Sequence, residues 1–235
     1  MSPFVSSNTY MAMWDKVVNR YSENYSPYFD RYKNKTGMHE VSLIGRAGEG
    51  VWSAGELLGA AAIEKGKYGK VIFCMPGERR NSPTRSFIRI ADQPVHFPVS
   101  WIHRADDVLI LEEDLLNFTS IYLDFDVATV TQRMNPNGFC VVNSPKAPQE
   151  LEGSVAGKLV TVDATKISLE QLKSPFFMNM GVIGAYLAIR KNFSLEEMEK
   201  AIKNYTNPRG HKIFAGELGD KNIQALRAGY QRVKV

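Results

Sequence analysis

The residues with the most chemical potential form one short stretch, Gly45-Arg-Ala-Gly-Glu-Gly50, a glycine cluster carrying one arginine and one glutamate. A mostly apolar run, Val41 to Ile44, leads into it, and a helical pattern rich in Ala, Leu and Glu leaves it. Gly45, Gly48 and Gly50 let the backbone take positive φ and let another group approach the main chain closely. The first N–H groups of the helix then face that group, which suits an anion or a carbonyl oxygen. The spacing is G-x-x-G-x-G. It differs from the G-x-G-x-x-G of a dinucleotide site and lacks the Gly-Lys-Ser/Thr of a P-loop. A tight βα turn with no ligand is the competing reading.

A second cluster, Glu78-Arg79-Arg80, sits in the polar loop Met75 to Pro83. Adjacent arginines can clamp a phosphate or carboxylate bidentately. A salt-bridge loop or a subunit contact fits the same residues. If this loop leaves its strand at the edge occupied by Gly45–Gly50, both face one crevice, where α/β sheets hold ligands. Asp124 and Asp126, two apart on an expected strand, face one way and could pair as carboxylates, although acids at a strand's solvent end are more ordinary. Glu112-Glu-Asp114 suits the first turn of a helix, complementing its dipole. His39, His96, His103 and His211 show no metal-ligand spacing, and no Gly-x-Ser-x-Gly or Ser-x-x-Lys carries a nucleophile.

Holding these groups takes an α/β scaffold. Strands are expected at Val41–Ile44, Lys70–Cys74 (buried), Thr84–Ile90 (half-exposed), Asp107–Leu111, Ile121–Phe125, Gly138–Val142 and Lys158–Val162. The turn Asn135-Pro-Asn-Gly138 separates the fifth and sixth. Helices are expected from about Glu49 to Lys65, Phe176 to Ile189 and Asp220 to Val233. Ser168-Leu-Glu-Gln171 and Ser194-Leu-Glu-Glu197 match the capping box of further ones. The second and third strands make a hairpin-like pair, so the sheet is mixed. The expected fold is α/β: a mixed, mostly parallel sheet flanked by helices, a Rossmann-like layered domain over 38–235. An aromatic-rich arm, 1–37, precedes it, with a short amphipathic helix around Tyr10 to Tyr21. The arm packs on this domain or on a neighbouring subunit.

Bulk properties narrow the function classes. Net charge is +4 over 235 residues, but the charges are interspersed, with no basic block for nucleic acid. Cys74 and Cys140 read as two buried thiols, and two cysteines cannot ligate an iron–sulfur cluster. No signal peptide or bilayer-length apolar run is visible, so a cytoplasmic location with no membrane contact is expected.

At these residues the chain resembles the gamma subunit, or gamma domain, of 2-oxoacid:ferredoxin oxidoreductases of the pyruvate and 2-oxoisovalerate type. The similarity runs through Gly45-Arg-Ala-Gly-Glu-Gly-Val51, Gly-Glu-Arg-Arg-Asn-Ser-Pro (77–83) and Arg85-Ser-Phe-Ile-Arg-Ile90. It continues through Val162-Asp-Ala-Thr165, Asn179-Met-Gly-Val-Ile-Gly-Ala185 and Asn222-Ile-Gln-Ala-Leu-Arg-Ala-Gly-Tyr230, covering about residues 38 to 232. The family's second glycine is Ala47 here, its glutamine is Glu49, and a glycine of its loop is Asn81. The resemblance implies one subunit of a complex that oxidatively decarboxylates a 2-oxoacid, usually to an acyl-CoA. Thiamine diphosphate and 4Fe-4S clusters then belong to alpha, beta and ferredoxin-like (delta) partner subunits, which pass electrons to ferredoxin or another acceptor. This chain is then structural, with no catalytic residue or metal of its own. Any contact with coenzyme A falls to Gly45, Arg46, Gly48, Glu49, Gly50, Arg79 and Arg80. A stand-alone nucleotide- or CoA-binding protein is the alternative.

Overall fold

The computed structural model describes residues 30–75, 82–95, 102, 104–119, 126–151, 155–207 and 210–235. Glu78, Arg79, Arg80, Asp124, His96, His103, the expected strand Ile121–Phe125 and the expected helix around Tyr10 to Tyr21 lie outside them.

Six strands form one sheet: β1 (His39–Arg46), β2 (Tyr68–Cys74), β3 (Pro83–Ala91), β4 (Asp107–Ile110), β5 (Phe139–Asn143) and β6 (Lys158–Val162). Their order is β2-β3-β1-β4-β5-β6. β1, β4, β5 and β6 run parallel, whereas β3 lies antiparallel between β1 and β2. The mixed, mostly parallel sheet and the β2–β3 hairpin are thus as the sequence implies.

Helices cover both faces. On one side, α2 (Val51–Glu64), α4 (Ala164–Leu172), α5 (Met178–Arg190), α6 (Leu195–Asn204) and α7 (Glu217–Gln231) share a core with Val41, Leu43, Ile88 and Leu109. On the other, a 3-10 turn (Glu113–Asn117) and α3 (Val127–Arg133) pack on Ile44, Phe87, Val108 and Ile110. Residues 30–36 form a further helix, α1. It is tied to the body by Lys33 to Asp106 at 2.6 Å and by the Tyr32 hydroxyl to the Pro94 carbonyl at 3.1 Å.

Glycines set two close approaches. A Cβ on Gly59 would stand 2.6 Å from Val71, which lets α2 lie flat on β2. A Cβ on Gly184 would stand 2.0 Å from the Leu226 carbonyl oxygen, so α5 and α7 meet backbone to backbone.

Several local expectations fail for tertiary reasons. β2 is an edge strand with no buried residue, and Cys74 is only half-buried; apolarity alone does not tell which strand ends a sheet. β3 is nearly all buried rather than half-exposed, because Arg89 pairs with Glu40 at 2.9 Å and Arg85 stacks on Phe87 and donates to Ser42. Ser168 does not open a helix. Asp163 caps α4 by accepting the Lys166 N–H, leaving Ser168 buried mid-helix, where its hydroxyl accepts the Phe177 N–H. Asp126 is no strand residue either: it caps α3 through the Thr129 N–H and hydroxyl. The Asn135–Gly138 turn therefore joins α3 to β5. The Ser194 capping box stands as expected, with Glu197 returning to the Ser194 N–H at 2.8 Å.

At the amino-terminal end of the parallel strands lies a polar network. Asp107, fully buried, accepts from His39 at 2.6 Å, the Tyr186 hydroxyl at 3.0 Å, Arg190 at 3.0 Å and the Phe139 N–H at 2.8 Å. Burial and the Asp107 charge push the Tyr186 phenol well above its ordinary pKa, so it serves as a neutral donor. This network locks the end of α5 to β1, β4 and β5.

Candidate functional site

The opposite, carboxyl-terminal edge carries the glycine turn. β1 ends at Arg46 and α2 begins at Val51, two residues after Glu49, so Glu49 belongs to the turn itself. Gly48 (φ 104°) and Gly50 (φ 77°) occupy the left-handed region that only glycine enters without strain. Gly45 sits in a tight place instead: a Cβ there would stand 2.8 Å from the Glu49 carboxyl oxygen and 2.9 Å from Leu111, so those side chains would have to shift. Among the described residues, nothing lies within 4 Å of where a Cβ on Gly48 would stand. The N-cap of α2 is Gly50, which has no side chain to bond the helix's first N–H groups.

Other strand ends complete the edge. The Asn179 amide, in the first turn of α5, donates to the Gly50 carbonyl at 3.2 Å. Asn143, at the end of β5, donates to the Leu111 carbonyl at 2.9 Å and accepts the Ala164 N–H at 2.9 Å. The loop expected to face the turn is rooted beside it: Pro83 pairs with Arg46 in register, and the Ala47 N–H donates to the Ser82 carbonyl at 2.9 Å. Gly45, Arg46, Gly48, Glu49 and Gly50 are therefore together, while Arg79 and Arg80 lie outside the described residues.

Among the described residues at the turn, Glu49, Glu112 and Asp114 surround Arg46. Arg46 Nε reaches Glu112 at 2.8 Å, and its guanidinium also pairs with Asp114. Glu113 turns away to the Ser144 hydroxyl and to Lys146. The acidic run thus does more than offset a helix dipole: two of its members engage the glycine turn. Glu49 Oε2 accepts the Arg46 N–H at 2.6 Å. Burial first, then the hydrogen bond and charge of Glu112, push Glu49 up to about 8. The Glu49 hydrogen bond and Arg46 hold Glu112 below the usual carboxylate range. Among the described residues Arg46 is engaged by Glu112 and Asp114, so the turn itself offers N–H donors, which suit an acceptor oxygen such as an amide carbonyl. Asn143 and the Glu49–Glu112 contact are the features the sequence reading missed; their partners are distant along the chain.

The family described as pyruvate ferredoxin/flavodoxin oxidoreductase matches residues 40–232, from the start of β1 to the end of α7. The chain belongs to this pyruvate ferredoxin/flavodoxin oxidoreductase family. Within it, the chain is similar to the pyruvate/ketoisovalerate oxidoreductases common subunit gamma of Pyrococcus furiosus, with 33% identity over 201 residues, 84% of this chain and 98% of the relative. Pyruvate synthase subunit PorC of Methanothermobacter marburgensis is 32% identical over 197 residues, again 84% and 98%. The crystal structure of the PORC subunit of Thermotoga maritima pyruvate oxidoreductase superposes with a TM-score of 0.65 at 31% identity, covering 84% of this chain and 97% of that one. The family relationship thus spans nearly the whole of each relative and leaves residues before β1 unmatched.

Proposed function

We propose that this chain is the gamma subunit of a multi-subunit 2-oxoacid:ferredoxin oxidoreductase that oxidatively decarboxylates a 2-oxoacid, usually to an acyl-CoA. The observation that carries this is the near-complete coverage of gamma and PorC relatives. The chain's own residues do not fit a 4Fe-4S cluster: it has two cysteines, and Cys140 is fully buried with its thiol pushed up to about 12. In this reading the clusters and thiamine diphosphate sit on alpha, beta and ferredoxin-like delta subunits. Ferredoxin or another acceptor receives the electrons, and the assembly works in the cytoplasm. Residues 1–37 act as an added arm on the 38–235 domain.

In this reading coenzyme A meets the glycine turn, supported by the glycine N-cap of α2 and by the clear space that the described residues leave at Gly48. A pantetheine carbonyl suits those N–H groups, and Arg79 and Arg80 suit a phosphate. Native purification with iron and thiamine analysis tests the subunit assignment; a chain recovered alone and cofactor-free sinks it. Arg79→Ala with Arg80→Ala tests the contact. An intact complex with a raised KM for CoA supports it, and loss of assembly assigns the loop to scaffolding.

A further inference from the structure

One edge of the sheet carries a concentration of exposed apolar side chains. β2 ends the strand order, and among the described residues no strand pairs with its outer side. Tyr68 at its start, Phe73 near its end and Met75 just beyond are exposed. Above it, Trp52 (40% exposed) and Ile63 (66%) share one stripe of α2, about three turns apart. Gly59 lies on that stripe and against Val71, so the stripe overhangs β2. The charged side chains of α2 and of the turn after it point back into their own chain. Glu56 accepts the Tyr205 hydroxyl at 3.1 Å, and Glu64 accepts the Asn204 amide at 2.9 Å. Lys65 pairs with Glu197 at 3.7 Å and Lys67 with Asp92 at 2.7 Å. Lys70 is the one charged residue of the strand. Edge strands are commonly guarded by charges, prolines or bulges, whereas this one presents apolar groups.

The two halves of this edge complement each other. Val71 is the middle residue of β2, and it lies under the middle of α2, against Gly55 and Gly59. A two-fold axis through Val71 sets two β2 strands antiparallel, with Phe73 of each copy opposite Gly69 of the other. Gly69 has no side chain, and a Cβ there would stand 2.5 Å from the Gly59 carbonyl oxygen, so the aromatic ring has room to lie across it. Lys70 falls opposite Ile72. Moving the axis to Lys70 would set two lysines directly against each other. The axis through Val71 also brings Trp52, at the start of one α2, to Ile63 at the end of the other. One axis therefore matches side-chain size, charge and helix apolarity, which is the self-complementarity of a two-fold interface.

We propose that this chain forms a two-fold dimer through β2 and α2, joining two six-stranded sheets into one. The contact stands independently of the subunit assignment and of the coenzyme A reading. A strand about 23 Å long with one helix above it makes an interface at the small end of specific ones, on the order of 600 Å² per partner. Such a dimer dissociates on dilution.

Sedimentation of the full chain from micromolar to hundreds of micromolar reads the mass directly. It should rise from 26.4 kDa toward twice that value. Ile63→Glu and Trp52→Lys, both at exposed positions, should each keep the wild-type thermal melt and remain monomeric. Combining Trp52→Lys with Ile63→Glu sets a lysine opposite a glutamate across the axis and should restore the dimer. A wild type that stays monomeric throughout, or a dimer that Ile63→Glu leaves intact, overturns the proposal. Failure of the combined variant to recover overturns the two-fold register. Benzoylphenylalanine in place of Phe73 gives a second readout that adds no charge. Irradiating mixed heavy- and light-isotope chains should yield mixed-label peptide pairs that contain Gly69. Links to residues 1–29 of the same chain, or to a different subunit in the assembled complex, identify another occupant of the edge and overturn the dimer.

Discussion

The side-chain amide of Asn179 donates to the carbonyl of Gly50 at 3.2 Å, joining the first turn of α5 to the glycine turn across 129 positions of sequence. Its own carbonyl oxygen accepts the Met180 N–H at 2.9 Å, which fixes which way the amide faces. Asn179→Ala should therefore cost about 1 kcal/mol in urea unfolding. Asn179→Asp should cost more, because a carboxylate would then face the Gly50 carbonyl. Equal losses for the two would show that the amide donor is not what holds the turn.

Gly50→Ala meets two obstacles. Its φ of 77° strains any side chain by about 1–2 kcal/mol, and the new Cβ would stand 2.4 Å from the Asn179 nitrogen. Repeating Gly50→Ala in an Asn179→Ala background should relieve the second cost and leave the first. Strict additivity in that double-mutant cycle would show that the two residues do not interact.

Gly184→Ala pits two effects against each other. Alanine improves intrinsic helix propensity by about 1 kcal/mol. Against this, its Cβ would lie 2.0 Å from the Leu226 carbonyl oxygen and 2.8 Å from the Tyr230 nitrogen, both backbone atoms with little freedom to give. Overpacking should win, with a net loss of about 1–3 kcal/mol. An unfolding midpoint at or above the wild type would mean that α5 and α7 separate easily.

Asp107→Asn removes the charge that Arg190 and His39 share in a buried place. The expected loss is about 3 kcal/mol, since the Arg190 guanidinium remains beside an uncharged group. Tyr186→Phe removes a neutral hydroxyl that donates to Asp107 and accepts from the Asn192 amide at 3.1 Å, and should cost about 1–2 kcal/mol. Thermal melts of both variants at one pH give the ratio, and a Tyr186→Phe loss as large as that of Asp107→Asn would reassign the network's centre.

Stability should also depend on pH through Glu49. Its folded-state pKa is raised from 4.5 to about 8, chiefly by burial. The folded chain then binds a proton the unfolded chain has lost. The stability Glu49 contributes is complete below about pH 4.5, declines as pH rises, and is lost by passage through about 8. Glu49→Gln should flatten this slope. Urea midpoints from about pH 6 to about pH 9 measure it, and parallel slopes in the two proteins would contradict the assignment.

The parts of this architecture that were legible in the sequence are those written in local chemistry. Gly45 to Gly50 between an apolar run and a helical pattern gave the turn, and the Ser194–Glu197 box gave the start of α6. Partners distant along the chain were not legible. Arg85 and Arg89 read as solvent-facing until Ser42, Phe87 and Glu40 are placed beside them. Ser168 satisfied a capping pattern, but Asp163 had already started the helix, and a pattern cannot tell which of two candidate caps forms first. Glu112 and Asp114 looked like dipole partners because nothing local ties them to Arg46, 66 and 68 positions away.

Because β3 lies antiparallel beside β1, the connection after β2 starts from Met75 and comes back to Ser82, which is fastened to Ala47. Both ends of that connection are held by strand register, so its length is free to drift during evolution. Doubling such a loop costs only about 0.6 kcal/mol in closure entropy. Insertions there change reach and chemistry while the sheet keeps its alignment, which makes this connection the natural place for lineages sharing the scaffold to diverge.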